Sequence, residues 1–515
     1  MSKRISLFPN QTEHYNSIKG LLETENFYID CSLMGSGKTY IATKLAIDLN
    51  LAIFVVCPKS MVENWKSICK EYSVKLRGVV TYQSLRGVSK SKKLNHPFLT
   101  KHTIGEDSKK VVYQATDKFK RYVRKGLLLI FDEIQYIKNP NLQLDSCIEL
   151  ARTVYKYSPS YKPGPSGAPS AFPAPLAPSG LARALGSKVG LISATPFDKE
   201  KHCFSILKLT DITFEDNLFE GGEFGRNMNL TGLKDIIKKC EKINYSKTMS
   251  STFSFYNSKI ATKSCFRLFS SVIKPKFTFI MKAPNYNFSS KIMNGHYHIN
   301  DPRLFEELRD TVDNFRAFYS ERKNSKDEMA KSMAMISTFM MNIEKIKVTI
   351  MYRLIKSKLK ENKNGKVIAY VNYHSSIDYL VTKFREYKPL VLHGGVKNED
   401  RKIINEKFQE HNNSHRLLIG NTKVGGIGLS LHDTHGGFPR TMYIIPTYSI
   451  LDMHQASGRV CRQGVKSNSN VYFIYTSVLE KSIINSLAKK TKVLKGITEE
   501  KILYPSDYPN FKEKH

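Results

Sequence analysis

Short apolar runs separated by helix-patterned stretches recur in two parts of this chain. The first set comprises Phe27–Ile29, Ala52–Cys57, Val79–Leu85, Leu127–Phe131 and Val189–Ile192. The second comprises Lys366–Val371, Leu390–Leu392, Leu417–Ile419, Met442–Ile445 and Val471–Tyr475. Continuous runs of this kind predict strands buried on both faces of a parallel sheet. Between them, Tyr15, Ile18 and Leu22, then Ile41, Ala42, Leu45 and Leu49, fall on single helix faces, and Met61 to Tyr72 reads as a further helix. The alternation predicts an α/β protein with two doubly wound parallel-sheet lobes. From about 200 to 345 it fades, and helical patterns predominate at Asp301–Tyr319 and Asp327–Met341, which predicts a mainly helical insertion. The methionines of the second pattern (333, 335, 340 and 341) read as core packing. The expected division is 1–205 for lobe one, 206–345 for the insertion, 346–490 for lobe two and 491–515 for a basic C-terminal tail.

Two stretches break the pattern. Residues 158–186 are rich in Pro, Ala, Gly and Ser and nearly uncharged, which predicts an extended, flexible insert within lobe one. Residues 86–120 are lysine-rich and read as a solvated loop, with a nucleic-acid contact as the alternative.

Composition then narrows the function classes. A chain of 515 residues with 41% hydrophobic content has enough apolar surface for several cores and is not a disordered protein. Lys+Arg 80 against Asp+Glu 46 gives a formal charge of +34, which favours a polyanionic partner through phosphate neutralisation. The eight cysteines form no C-x-x-C pair, and several, such as Cys57, sit inside apolar runs. They read as core residues of a protein in a reducing, intracellular compartment, neither zinc ligands nor disulfides. No apolar run reaches membrane-spanning length, and no secretory signal is expected from Met1–Ser6.

The candidate chemistry begins after the first strand. Met34-Gly35-Ser36-Gly37-Lys38-Thr39 has the composition of a phosphate-binding loop opening a helix. Glycine lets the backbone approach an anion, Lys38 reaches outer phosphates, and the Thr39 hydroxyl is available to magnesium. The strict pattern wants glycine at position 32, where this chain has Ser32. Upstream, the Gln11 amide offers the donor and acceptor that read an adenine edge. The fourth run ends in Asp132-Glu133, at the strand edge where open α/β sheets build sites. Asp132 is placed to hold magnesium, and Glu133 to orient and deprotonate a water. Val189–Ile192 leads into Ser193-Ala-Thr195, a hydroxyl-rich turn. The second lobe offers the glycine-rich Thr422–Ser430 and Gln455-Ala-Ser-Gly-Arg459 with Arg462, the two arginines on one helical face.

The ordered series Gln11, Met34–Thr39, Val56-Cys-Pro58 with Asn64-Trp65, Thr81-Tyr82, Asp132-Glu-Ile-Gln135, Ser193-Ala-Thr195, His393-Gly-Gly395, Gly425–Leu429 and Gln455–Arg459 with Arg462 resembles the superfamily 2 helicases. It looks most like their Swi/Snf-like DNA translocase branch, through Cys57-Pro58, Asn64-Trp65, Lys138-Asn139 and Asp452 ahead of Gln455-x-x-Gly458-Arg459-x-x-Arg462-x-Gly464. In that branch the position of Ser32 is often not glycine. Gln135 stands where the branch usually has histidine.

The resemblance implies two RecA-like lobes that use ATP and magnesium. Gln11, Gly35, Ser36, Gly37, Lys38, Thr39, Gly428 and Gln455 would hold nucleotide, with Thr39 and Asp132 on the metal. Lys38, Asp132, Glu133, Arg459 and Arg462 would be catalytic, the arginines reaching across from lobe two. Gln135, Ser193 and Thr195 would couple hydrolysis to lobe movement. Pro58, Lys59, Thr81, His393, Gly394 and Thr422 would touch the nucleic-acid backbone. Duplex DNA is the favoured track; an RNA helicase of the same superfamily and a non-enzymatic basic scaffold are the alternatives. Likeness to transcription-associated helicases of large cytoplasmic DNA viruses adds transcription machinery as a partner and host cytoplasm or virion as the location. The resemblance does not extend to nucleosome remodelling, because no chromodomain, bromodomain or finger-like module is visible.

Overall fold

The computed structural model describes residues 4–87, 94–104, 110–159, 186–210, 266, 269–282, 288, 290–297, 299, 301–320, 328–425, 429–460, 462, 464–476 and 481–498. The chain divides into two compact units, residues 1–283 with 496–499 and residues 284–495 with 500–515. Most of the Pro/Ala-rich insert, 160–185, lies outside the described residues. So do the lysine-dense parts of the 86–120 stretch, 88–93 and 105–109.

The first unit is built on a six-stranded parallel sheet. Its strands are β1 (Phe27–Asp30), β2 (Ala52–Cys57), β3 (Leu76–Thr81), β7 (Leu127–Asp132), β8 (Lys188–Ile192) and β9 (Thr278–Phe279), in the order β3-β2-β7-β8-β1-β9. Every residue of β1, β2, β7 and β8 is buried, as uninterrupted apolar runs require. Helices α1 (Pro9–Thr24), α2 (Lys38–Asp48) and α3 (Val62–Glu71) cover one face, where Ile18, Leu22, Ile41, Leu45 and Trp65 pack on Tyr28, Ile53, Val55 and Ile130. On the other face Phe54 meets Phe98 and Phe119 edge-on, with centroids 4.8 and 5.2 Å away.

Three details differ from the expected pattern. The run Val79–Leu85 is not one strand: β3 ends at Thr81, whose hydroxyl accepts from Ser84 N and caps the short helix α4 (Tyr82–Arg86). The described parts of the lysine-rich stretch form an antiparallel sheet of β4 (Leu94–Asn95), β5 (Leu99–Ile104) and β6 (Lys110–Ala115), because Phe98, Leu99, Tyr113 and Ala115 have apolar surface to bury. Strand β9 was not visible as a pattern; two residues long, it is defined only by pairing Thr278 with Ile29 and Phe279 with Asp30.

The second unit carries another six-stranded parallel sheet, β10 (Ser290–His296), β11 (Lys366–Val371), β12 (Leu390–Leu392), β13 (Leu417–Asn421), β14 (Arg440–Ile444) and β15 (Ser469–Tyr475), in the order β10-β15-β14-β11-β13-β12. Both its faces are apolar: Ile368, Tyr370 and Leu418 point into one core, Val367, Ala369 and Ile419 into another. The helix expected over 327–341 continues from Glu328 to Glu361, and its later turns bring Val348, Met351, Ile355 and Leu359 onto the second core. Within the stretch expected to be helical, residues 269–282 belong to the first unit and β10 to the second. Cys31, Cys57, Cys69, Cys147 and Cys203 are buried and outside any disulfide. No described helix is long and apolar enough to cross a membrane.

Sheet register sets a testable constraint at Gly420. A Cβ there would lie 2.8 Å from the backbone oxygen of Leu392, whereas one at Gly20 in α1 meets nothing within 4 Å. Gly420→Ala is expected to cost about 1–3 kcal/mol of stability, and Gly20→Ala to add about 0.5–1 kcal/mol. Denaturant melts of the two variants check this; equal effects would contradict the β12–β13 register.

Candidate active site

Parallel strands place all their carboxyl ends on one edge, and the candidate residues of the first unit collect there. Asp30 and Asp132 each pair with Ile192, from opposite sides of β8, so the ends of β1 and β7 flank that of β8. At the end of β1 the chain turns through Gly35 and Gly37, at φ +75° and +95°, into α2. A side chain at Gly37 would be strained by φ and would also meet Gln11 Nε2 at 2.4 Å. Gln11 is buried against this loop: its Nε2 donates to Ser36 O at 2.8 Å, while its Oε1 accepts from Phe8 N at 3.0 Å. The Lys38 ammonium donates to the carbonyls of Ser32 and Leu33 at 2.6 and 2.8 Å, so it spans the loop. Thr39 follows in the first turn of α2, which contains no acidic residue. A glycine-shaped loop, a helix N-terminus and a lysine suit a phosphorylated ligand.

Position 32 has no need of glycine, since Ser32 is not in the positive-φ region. Its hydroxyl accepts from Met281 N at 2.8 Å and lies 3.3 Å from His14 Nε2. His14 Nε2 is also 3.1 Å from Asp30 Oδ2, and Ser32 N donates to Asp30 Oδ1 at 2.9 Å. Burial opposes ionisation of Asp30, yet the hydrogen bond and charge of His14, the charge of Lys38 and the Ser32 bond outweigh it and hold the carboxyl below its ordinary value.

The acidic pair ends β7. Trp65 Nε1 donates to Asp132 Oδ2 at 2.8 Å, and Tyr82 OH donates to the Asp132 carbonyl at 2.8 Å. Burial, then the charge of Glu133, push the Asp132 carboxyl up to about 7, against the opposing pull of Trp65 and Lys38. Glu133 sits in the left-handed region at φ 59°. From it a chain of hydrogen bonds runs across the sheet edge: Gln135 Nε2 donates to Glu133 Oε2 at 2.7 Å, Ser193 Oγ donates to Gln135 Oε1 at 2.6 Å, and Thr195 N donates to Ser193 Oγ at 2.9 Å. The Gln135 amide can serve both neighbours at once because it carries a donor and an acceptor. Among the described residues no group of three or more His, Cys, Asp or Glu side chains converges, so Asp132 would meet a hard divalent cation as a single protein carboxylate.

The remaining expected residues of this unit flank the same edge. Cys57 and Thr81 are paired across β2 and β3, so Pro58 and Lys59 leave the sheet beside the Thr81 cap. Lys59 is exposed, whereas the Thr81 hydroxyl is used on Ser84.

In the second unit the expected residues also gather at the carboxyl edge. His393 and Gly394 follow β12, Thr422 follows β13, and Gln455 lies on the helix Ile450–Ser457 after β14. Gly394 is exposed; Thr422 is buried, with its hydroxyl donating to Val371 O at 3.3 Å. Gly428 lies outside the described residues. Arg459 is buried and donates to Leu429 O at 3.2 Å; Arg462, half-buried, donates to Gly458 O at 3.0 Å and Ser430 Oγ at 2.8 Å.

Sequence reasoning missed the supports of these groups. His14, Asp30 and the partnership of Trp65 with Asp132 belong among them. So does Asp198, which binds Lys138 Nζ at 2.7 Å and His202 Nδ1 at 3.2 Å, and whose carboxyl, despite burial, these hydrogen bonds hold well below the usual range. A polar residue ending a buried strand, as Asp30 does, was the one available signal.

Residues 4–152 match the family "Type III restriction enzyme, res subunit", and residues 346–464 match "Helicase conserved C-terminal domain". The chain is similar to a putative ATP-dependent RNA helicase, L364, of Acanthamoeba polyphaga mimivirus, at 23% identity over 96% of this chain and 84% of the relative. It is similar also to DNA repair protein rhp54 of Schizosaccharomyces pombe (26% identity, 30% of this chain and 18% of the relative). DNA repair and recombination protein RAD54 of Saccharomyces cerevisiae gives 23% identity over 30% of this chain and 17% of the relative. Against the solved Sulfolobus solfataricus SWI2/SNF2 ATPase core in complex with dsDNA, the identity is 16% over 97% of this chain and 98% of that one, with a TM-score of 0.30, too low to bear on how the parts are arranged. With the "Type III restriction enzyme, res subunit" family matched in the first unit and a helicase C-terminal domain in the second, the chain carries the two domains of a superfamily 2-type helicase and is an ATP-hydrolysing enzyme of the helicase/translocase class.

Proposed function

We propose that this motor translocates along duplex DNA, using ATP with magnesium. The observation that carries the reading is the hydrogen-bonded chain Glu133–Gln135–Ser193–Thr195, which ties the acidic pair to the turn after β8. In it Glu133 orients and deprotonates the attacking water, and Gln135, Ser193 and Thr195 transmit the change as Glu133 exchanges partners. Lys38 and the loop amides of Gly35, Ser36 and Gly37 bind phosphates, while Gln11 holds the loop and the adenine. Thr39 and Asp132 would hold magnesium, which supplies neutralising charge for phosphoryl transfer when bound. Gln455 and Gly428 complete nucleotide binding. Arg459 and Arg462 act as arginine fingers from the second unit, and Arg462, the less buried, exchanges Ser430 for phosphate. Pro58, Lys59, Thr81, His393 and Gly394 grip phosphates with little base readout, while Thr422, buried with its hydroxyl on Val371 O, would act from beneath that surface. The net charge of +34 supports such a grip.

Duplex DNA as the track is supported by the Swi/Snf-like motif series and by relatives named for DNA repair. An RNA track is the second reading, favoured by the name of the mimivirus relative that matches over 96% of this chain. A role with viral transcription machinery in the host cytoplasm or virion extends the same likeness. ATP turnover of the full chain, alone and with duplex DNA, single-stranded DNA or RNA, decides between them: duplex stimulation is expected, and stimulation by RNA alone would overturn the DNA reading. Glu133→Gln supplies the inactive control.

Two further outcomes follow from the residues. Lys38→Ala is expected to abolish turnover, and Arg462→Ala to lower stimulated turnover by about 10³-fold or more; full activity in either removes that assignment. Because burial and Glu133 raise the proton affinity of the Asp132 carboxyl, magnesium competes with a proton there. The magnesium concentration for half-maximal turnover is therefore expected to rise as pH falls below 7, by roughly tenfold per unit. In the metal-free protein the sign is opposite for stability: the raised carboxyl stabilises at low pH and that contribution is lost between the ordinary value of 3.8 and about 7. Magnesium titrations of turnover from pH 5.5 to 8 check the first effect, and a flat half-saturation would contradict it.

A further inference from the structure

Ser32, which departs from the strict phosphate-loop pattern, lies at the centre of a buried polar cluster that no step of hydrolysis uses. His14 and Ser32 belong to α1 and the loop, and Asp30 to β1; all three are at most 6% exposed. His14 Nε2 lies within reach of both Asp30 Oδ2 and Ser32 Oγ, and with Asp30 held ionised the imidazole N–H is the donor. The fourth member comes from far along the chain. Met281 N donates to Ser32 Oγ at 2.8 Å across a sequence separation of 249 residues.

That contact does not stand alone. Just before it, β9 pairs with β1, and Cys31 N donates to Phe279 O at 2.8 Å. Phe277 stacks on Phe27 at 4.4 Å, and Phe279 meets the His14 ring edge-on at 6.3 Å. Ion pairs Lys276–Glu25 and Lys282–Glu13, at 2.5 and 2.6 Å, fasten the same segment to both ends of α1, and Asn10 Nδ2 donates to Lys282 O at 3.2 Å. The segment 276–282 is thus fixed at once to the helix bearing Gln11 and to the loop bearing Lys38. Two residues later the chain leaves this unit for the second.

We infer that Ser32 is a positioning residue of the nucleotide site, locking the phosphate loop to Met281, just beyond strand β9, so that the loop and the chain segment leaving the unit respond to nucleotide together. The Ser32 carbonyl is one of the two that hold Lys38, so a loosened Ser32 displaces the lysine that binds phosphate. A glycine at 32 would satisfy the generic loop and lose this lock. The inference rests on the reading of the loop as the ATP site.

The test uses the full chain with Ser32→Ala and Ser32→Gly. ATP turnover gives KM and kcat, and amide exchange of residues 278–282 is followed with and without ADP. Loss of two buried hydrogen bonds predicts a KM for ATP raised roughly tenfold with kcat within about twofold of the parent. ADP is expected to slow exchange at the Met281 amide in the parent and not in either variant. Ser32→Gly guards against a folding defect peculiar to alanine, and it separates this account from one in which the loop needs only glycine. A KM within about twofold of the parent in both variants, or an unchanged ADP response at Met281, overturns the inference. Lys38→Ala separates the two readings: if it retains turnover, the site reading fails and this inference with it, whereas inactive Lys38→Ala beside unaffected Ser32 variants overturns this inference alone.

Discussion

A carboxylate buried at the end of a fully buried strand is expensive unless something meets its charge, and the first unit is arranged around that constraint at Asp132. The indole of Trp65 supplies one neutral hydrogen bond, and Tyr82 fixes the adjoining carbonyl while stacking on Tyr136 at 6.0 Å. One neutral donor does not offset desolvation and the neighbouring Glu133, so the carboxyl's proton affinity is raised well above the ordinary carboxylate range. A divalent cation inverts that balance. The same edge holds a second buried carboxylate with the opposite outcome. Asp30 has His14, Ser32 and the charge of Lys38 around it, and it is ionised. Two aspartates flanking the same strand end thereby differ through their partners alone: Asp30 is held ionised against the loop, while burial and Glu133 raise the proton affinity of Asp132.

What the sequence made legible follows from this architecture. Strands buried on both faces are apolar along nearly their whole length, so β2 and β11 are legible to the residue, and the pattern alone assigns the groups at their ends to one edge. Strands β9 and β10 were not readable, because a two-residue strand and an edge strand are chosen by the partner they pair with, not by their own pattern. Thr81 illustrates competition at short range: the β-rich run continues past it, but its side chain caps a helix.

The site divides the same way. Lys38, Asp132 and Glu133 stand out in the sequence because the expected phosphate and metal chemistry asks for those residue types in that order. Their supports were not, because His14, Asp30 and Met281, or Lys138 and Asp198, meet only after the sheet has formed. Gln135 shows an intermediate case. Its position was legible, but its use depends on being two-ended, bonding Glu133 through one amide atom and Ser193 through the other. In the second unit, Arg459 and Arg462 were likewise found by spacing, and the structure adds what they hold: the Leu429 carbonyl, the Gly458 carbonyl and the Ser430 hydroxyl.

Trp65 offers the most direct test, because it is the only tryptophan in the chain and its indole donates to the Asp132 carboxylate. Its emission should therefore report the occupancy of the site when magnesium and ADP are titrated into the full chain. The account predicts a saturable change in emission with magnesium and ADP together, absent in Asp132→Asn. Emission that stays constant under conditions where the chain hydrolyses ATP would contradict the placing of metal and phosphates at this edge.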